Sequence, residues 1–393
     1  MNASPLGIRQ PAMLYRPVGT TGMEASIIGL GTEHLDNKPY ELVEEVIHAA
    51  LEQGINMMDL FMPGDTVRTA IGQALAGNRE KMLIQGHIGS VDLREQYDIS
   101  RDLDVCKRYV DKLLTCLDTD YLDFGMLFFL DTDADVDAMF DNGIVDYAMD
   151  LKRQGVIRAM GASSHNPATA RRIVESGVID LLMFSINPAF DLMPGAADIT
   201  AMLQDGFTGM VLGQDPARAE LYRLCESKGV AISVMKTLGA GKLLSAEHTP
   251  FAGPMTPAQC IHYALSRPAV VSTLIGCQSR EHVLDAVRYL TLSEAEKDYA
   301  PVVSSVKRDF KGSCVYCNHC LPCPADINIG MVNKYLDIAV LDETNVPPSI
   351  VSHYKELAAH GSDCIACGSC EERCPFGVSV IDNMKRAAAL FGV

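Results

Sequence analysis

Short apolar runs alternate with amphipathic stretches along the first 290 residues of the chain. The apolar runs fall at residues 26–30, 55–59, 81–85, 121–129, 157–161, 181–186, 230–235 and 271–275. Between them, at 39–53, 66–76, 103–116, 136–154, 167–176, 216–227, 257–266 and 279–290, apolar positions recur with the spacing of a helix that buries one face. Strands that alternate with helices of about 10–15 residues imply repeated βαβ units and a parallel sheet. Eight such units over roughly 250 residues predict an α/β fold, a closed (β/α)8 TIM barrel. A doubly wound open sheet is the other arrangement of repeated βαβ units. No G-x-G-x-x-G stands at a strand-to-helix junction, which weakens a dinucleotide-binding open sheet.

Before the first barrel strand, Gly19-Thr20-Thr21-Gly22 separates residues 14–17 from 23–25. This pattern predicts a hairpin that plugs the barrel bottom. After the last barrel helix, residues 293–312 predict a charged helical connector. The expected organisation is therefore a barrel over residues 1–292, the connector over 293–312, and a small α-rich C-terminal domain over 313–393. Inside that domain, residues 326–362 contain Pro347-Pro348 and predict two helices.

Chemistry enters most clearly through cysteine. Cys314, Cys317, Cys320 and Cys323 are followed by Pro324, and Cys364, Cys367, Cys370 and Cys374 by Pro375. The second run has the C-x2-C-x2-C-x3-C-P spacing of bacterial ferredoxins, and the first differs by one residue in its last interval. Thiolates three residues apart let one loop wrap a 4Fe–4S cubane. Structural zinc takes four ligands, usually as two pairs separated by a loop, and fits four cysteines in a row poorly. Disulfides belong to oxidising compartments, and residues 1–12 lack the apolar core of an export signal. Two 4Fe–4S clusters are the expectation. In two-cluster ferredoxins the fourth cysteine of each run serves the other cluster. One cluster would then take Cys314, Cys317, Cys320 and Cys374, the other Cys364, Cys367, Cys370 and Cys323. The remaining cysteines, Cys106, Cys116, Cys225, Cys260 and Cys277, are scattered and are expected to act as small hydrophobes.

Composition narrows the class. No apolar run of the 393 residues approaches the roughly 20 needed for a membrane span. The net charge of −17 opposes nucleic-acid binding, which needs a basic footprint. Thirteen cysteines without an export signal fit a reducing cytoplasm.

Several short motifs then resemble the aldo/keto reductase family, in order and over nearly the whole chain. Tyr15-Arg16 with Gly19, Thr21-Gly22, Ser26 and Gly29-Leu30-Gly31-Thr32 resembles its opening. Gly54-Ile55-Asn56 before Asp59, then Asp120-Tyr121-Leu122-Asp123, then Val156-Ile157-Arg158 with Gly161, Ser163 and His165, resemble its second, fourth and fifth strands. Met235-Lys236 with Gly239 and Gly241-Lys242-Leu243 resembles the seventh-strand loop of the subgroup that carries a C-terminal ferredoxin domain. The resemblance implies a (β/α)8 barrel binding NADP(H) at its C-terminal mouth. It implies cofactor contacts from Ser163, Lys236, Gly276 and Arg280, the last toward a 2′-phosphate.

The departures are as informative. The family tetrad is Asp, Tyr, Lys and His. Asp59 matches the first; Pro63 or Gly64 stands near the Tyr position, His87 at the Lys and Phe128 at the His. Ser163-Ser164 covers only part of the amide-binding pair, Met183 replaces its Gln, and Asp285-Ala286 stands where Glu-Asn is usual. The standard phenol-to-carbonyl proton transfer is therefore excluded. What remains at the strand ends is Glu33, His34, Asp59, His87 and His165. Asp59, His87 and His165 are the candidate catalytic residues, since imidazole exchanges protons near neutral pH. One expectation is that His87 with Asp59 replaces the lost Tyr–Lys as proton donor. Another is that His34, Asp59, His87 and His165 bind a metal.

Together these features describe an iron–sulfur oxidoreductase of the aldo/keto reductase type, exchanging single electrons with a ferredoxin or flavodoxin. Flavin would convert between hydride pairs and single electrons. The alternative is a non-catalytic electron-transfer or scaffold subunit with a degenerate barrel.

Overall fold

The structure, a computed structural model, describes residues 12–92, 97–191, 216–303, 314, 320–340, 343, 346, 348–374 and 377–393. These residues fall into two compact units, one up to residue 303 and one from residue 314.

In the first unit β1 (Tyr15–Pro17) and β2 (Glu24–Ser26) form an antiparallel hairpin. The barrel strands are β3 (Ile28–Gly31), β4 (Met57–Leu60), β5 (Leu83–Ile88), β8 (Leu122–Leu127), β9 (Ile157–Ser164), β10 (Leu181–Ser185), β11 (Ala231–Met235) and β12 (Val270–Gly276). All eight pair in parallel and in chain order, and β12 pairs with β3 to close the sheet. The closed barrel is the predicted form; the open sheet is not. Between β5 and β8 lies a small antiparallel hairpin absent from the predicted elements, β6 (Ser90–Asp92) with β7 (Tyr97–Ile99).

The strands are short and apolar because both faces are covered. Outward residues such as Ile28, Leu30, Met58, Ile84 and Ile232 join the helices in one large core. Inward residues Met57, Leu83, Phe124, Leu181 and Ala231 form a second cluster, and Val18, Met23 and Ala25 of the hairpin segment pack into it. These inward residues lie at or near the starts of their strands, so the hairpin plugs the barrel bottom, as the sequence predicted. Higher in the lumen Ser233 Oγ donates to Gln85 Oε1 at 2.9 Å across the barrel.

Surrounding helices include α1 (Tyr40–Glu52), α2 (Asp65–Ala74) and α3 (Leu103–Leu117). The helix predicted at 136–154 is two, α4 (Asp133–Asp141) and α5 (Ile144–Gln154). Gly143 between them adopts φ +75°, a left-handed conformation open to glycine that ends the first helix and starts the second. Next, α6 (Pro167–Glu175) begins with the Asn166 side chain accepting from the backbone N–H of Ala168 and Thr169.

In the second unit helices span Ile329–Ala339, Pro348–Lys355, Ser369–Arg373 and Val380–Phe391. The first two are the helices expected between the cysteine runs. Tyr354 stacks on Phe391 with centroids 4.0 Å apart, and its hydroxyl accepts from the N–H of Gly361 at 2.8 Å. That contact seats the segment leading into Cys364.

Candidate functional site

The register of β4 on β5 places Asp59 opposite Gln85. His87, two residues on, shares the inward face of β5, because side chains alternate along a strand. His87 Nε2 and Asp59 Oδ1 lie 2.7 Å apart, with the two residues 2% and 5% exposed. Rings enclose the pair. Phe128 stands edge-on to His87 at 5.1 Å, Phe61 at 6.3 Å, and Phe61 stacks on Phe128 at 5.9 Å. Tyr97 of the β6–β7 hairpin joins the cluster, 5.8 Å from Phe61 and 6.4 Å from Phe128. His87 Nδ1 is buried with no hydrogen-bond partner among the described residues.

His165 lies elsewhere on the rim, directly after β9. Its Nδ1 is 2.9 Å from Asp131 Oδ2, and its backbone N–H donates to Asp131 Oδ1 at 2.6 Å. The Ser164 hydroxyl donates to the same oxygen at 3.2 Å. Burial pushes the Asp131 carboxyl upward, but the charge and hydrogen bonds of His165, with the Ser164 bond, outweigh it and hold the group below its ordinary value. Phe129 packs on the His165 ring at 5.3 Å.

Two residues at these strand ends, Phe129 (φ +54°) and Lys236 (φ +60°), hold left-handed backbone without being glycine. Such outliers cluster at functional sites. Ser163 fixes the first, accepting from the Phe129 N–H at 2.8 Å, and is 2% exposed. At the second, the Lys236 carbonyl accepts from Asn187 Nδ2 at 2.9 Å. Gly276 ends β12, and a Cβ there would overlap the His34 ring. Arg280 pairs with Glu52 of α1, whose hydrogen bond raises the guanidinium further above its ordinary value. Met183 is buried among the inward residues.

The structure thus brings together only part of the predicted rim. His87 joins Asp59, and His165 joins Asp131, a partner the sequence analysis missed. The four-residue metal set is not assembled: among the described residues no three His, Cys, Asp or Glu side chains converge on a single ion. The reason is geometric. His34 sits against the end of β12, His87 is enclosed by rings, and His165 is turned toward the loop after β8. The only signal for Asp131 was its place just past an apolar run, in an acidic stretch that equally reads as helix-capping residues.

In the second unit Cys323, Cys364, Cys367 and Cys370 line one small cavity, together with Ile327, Val380 and Met384. The loop leading into it turns at Ala366 (φ +53°) and Gly368 (φ +80°). Cys370 is buried and Cys367 exposed. The Ser369 backbone N–H and hydroxyl lower the Cys367 thiol from its ordinary value, while burial raises that of Cys370. Arg373 Nη2 donates to the Pro322 carbonyl at 2.7 Å, tying the two cysteine runs together next to Cys323 and Cys374. Cys314 and Cys320 are partly buried, as is Cys374. Cys317 lies outside the described residues.

The family model for the aldo/keto reductase family matches residues 27–258. This chain belongs to the aldo/keto reductase family. Among solved structures it is similar to the holo form of the aldo-keto reductase AKR11C1 from Bacillus halodurans, at 20% identity and a TM-score of 0.56, covering 72% of this chain and 94% of that one. It is also similar to a putative aldo-keto reductase from Pseudomonas aeruginosa, at 21% identity and a TM-score of 0.54, covering 72% of this chain and 98% of that one. At such identities the likeness speaks to the fold. No curated protein matches the chain.

Within this aldo/keto reductase barrel His87 and Asp59 form a buried hydrogen-bonded pair, and Phe128 closes over the His87 ring. A phenol is present in the same ring cluster, but Tyr97 reaches it from the hairpin after β5 rather than from the loop after β4.

Proposed function

We propose that this protein is an iron–sulfur oxidoreductase whose C-terminal unit relays single electrons through two 4Fe–4S clusters to or from the barrel mouth. One observation carries the reading. The cavity cysteines are Cys364, Cys367, Cys370 and, from the other run, Cys323. This is the set that the crossed ferredoxin rule assigns to one cluster. A cubane spreads four thiolates over four irons, so its sulfurs surround a space rather than converge on one ion point. An all-thiolate set suits iron–sulfur chemistry, and such a cluster supplies one-electron transfer. Cys314, Cys317, Cys320 and Cys374 would hold the second cluster.

In this reading the domains are the barrel over 1–292, the connector over 293–312 and the cluster domain over 313–393. NADP(H) at the mouth follows from the family, with Ser163, Lys236, Gly276 and Arg280 as its contacts. Arg280 would exchange Glu52 for the 2′-phosphate, and the His34 ring would move off Gly276. Flavin is the other cofactor able to split an electron pair. A ferredoxin or flavodoxin is the proposed electron partner, and the cytoplasm the proposed location. Among the described residues no helix is long and apolar enough to cross a membrane.

The alternative, an electron-transfer or scaffold subunit, is favoured by the enclosure of His87. A proton donor 2% exposed beneath Phe61 and Phe128 does not reach a substrate as it stands. Titration with NADPH and flavins separates the two readings. Iron, sulfide and electron paramagnetic resonance of anaerobically prepared protein test the clusters. Cys323→Ser should lose one cluster signal and about four of about eight irons per chain. Full iron in that variant refutes the crossed assignment, and iron-free wild type after reconstitution refutes the clusters.

A further inference from the structure

We propose that the proton-exchanging group of the barrel mouth is Nε2 of His165, oriented by Asp131, and that the buried His87–Asp59 pair supports the site without meeting substrate. This rests on the oxidoreductase reading above and assigns its proton donor.

The two histidine–carboxylate pairs differ in access. The side chain of His87 is 0% exposed and its Nε2 is taken by Asp59. The side chain of His165 is 33% exposed and only its Nδ1 is engaged. Among the described residues nothing bonds its Nε2, and that atom is not buried. A carboxylate on Nδ1 keeps the proton of the neutral ring on that nitrogen, leaving a lone pair on Nε2, and stabilises the imidazolium when Nε2 is protonated. The protonated ring then gives its Nε2 proton to an oxygen that gains electrons at the mouth, and solvent replaces it. The dyad moves only the proton; the electrons come from the nicotinamide or the clusters.

A purely structural role for Asp131 is the competing account. Its loop-stitching bonds, however, use the carbonyl and Oδ1, which leaves Oδ2 to the His165 ring. The Asp131 carbonyl accepts from Asn166 Nδ2 at 3.1 Å and from the Thr169 hydroxyl at 3.3 Å. Oδ1 accepts from the His165 N–H and from Ser164, and Oδ2 meets the His165 ring nitrogen. Phe129 covers one side of the ring through a left-handed backbone, and so fixes its plane.

The test is acylation by diethyl pyrocarbonate at neutral pH on the full-length, anaerobically prepared protein, read at each histidine by peptide mass spectrometry. His165 should be acylated at least about tenfold faster than His87. Asp131→Asn should slow His165 at least about tenfold, because an amide donating to Nδ1 forces the proton onto Nε2; Asp131→Glu should restore the rate. Equal rates at His165 and His87, or an unchanged rate in Asp131→Asn, overturn the proposal. If Asp131→Asn does not fold, the comparison of the two histidines in wild type decides alone. Iron content measured on the same samples reports the cluster reading separately.

Discussion

The His87–Asp59 pair permits a quantitative test by a double-mutant cycle. Asp59→Ala strands both ring nitrogens of His87, one of which already lacks a partner, in a pocket closed by Phe61 and Phe128. Leaving a buried polar group unsatisfied costs about 1–3 kcal/mol. His87→Phe keeps an aromatic ring beside Phe128 but strands the Asp59 carboxylate, at a cost at least as large. The double variant strands neither group. It should therefore be less destabilised than the sum of the single variants by about 2 kcal/mol. With a urea slope of ~2 kcal/mol/M this is a midpoint difference of about 1 M. Because the chain has no Trp, circular dichroism is the appropriate assay. Strict additivity of the two substitutions would show that the 2.7 Å contact carries no coupling and would refute the reasoning.

Acid should expose Asp131. Its folded carboxyl lies below the ordinary value, so its contribution is complete above about pH 4 and is lost as pH falls through the lower folded value. Urea midpoints should fall more steeply in wild type than in Asp131→Asn between about pH 5 and about pH 2; parallel curves contradict the shift. At Gly72 an added Cβ would lie 2.7 Å from the Cys116 carbonyl oxygen and 2.8 Å from the Leu117 Cα of α3. Backbone cannot step aside as a side chain can, so Gly72→Ala should cost about 1–3 kcal/mol in thermal unfolding. Gly253, where an added Cβ meets nothing within 4 Å, is the control, and equal melting of the two variants rejects the close-approach argument.

The sequence by itself determined the barrel, because alternation of buried strand and one-sided helix is a local property repeated eight times. It also determined the hairpin plug and the helices between the cysteine runs. The break at Gly143 was missed because apolar spacing continues across it. The tertiary structure alone decided how the rim is partitioned. Asp59, His87, Asp131 and His165 occupy similar places at strand ends, and nothing local separates a ring sealed under Phe61 and Phe128 from a ring a third exposed beside Phe129. Partner choice there depends on strand register, on barrel closure and on a hairpin that delivers Tyr97 from an unexpected element. These are relations between residues far apart in the chain, set when the barrel closes, and periodicity along the chain does not encode them.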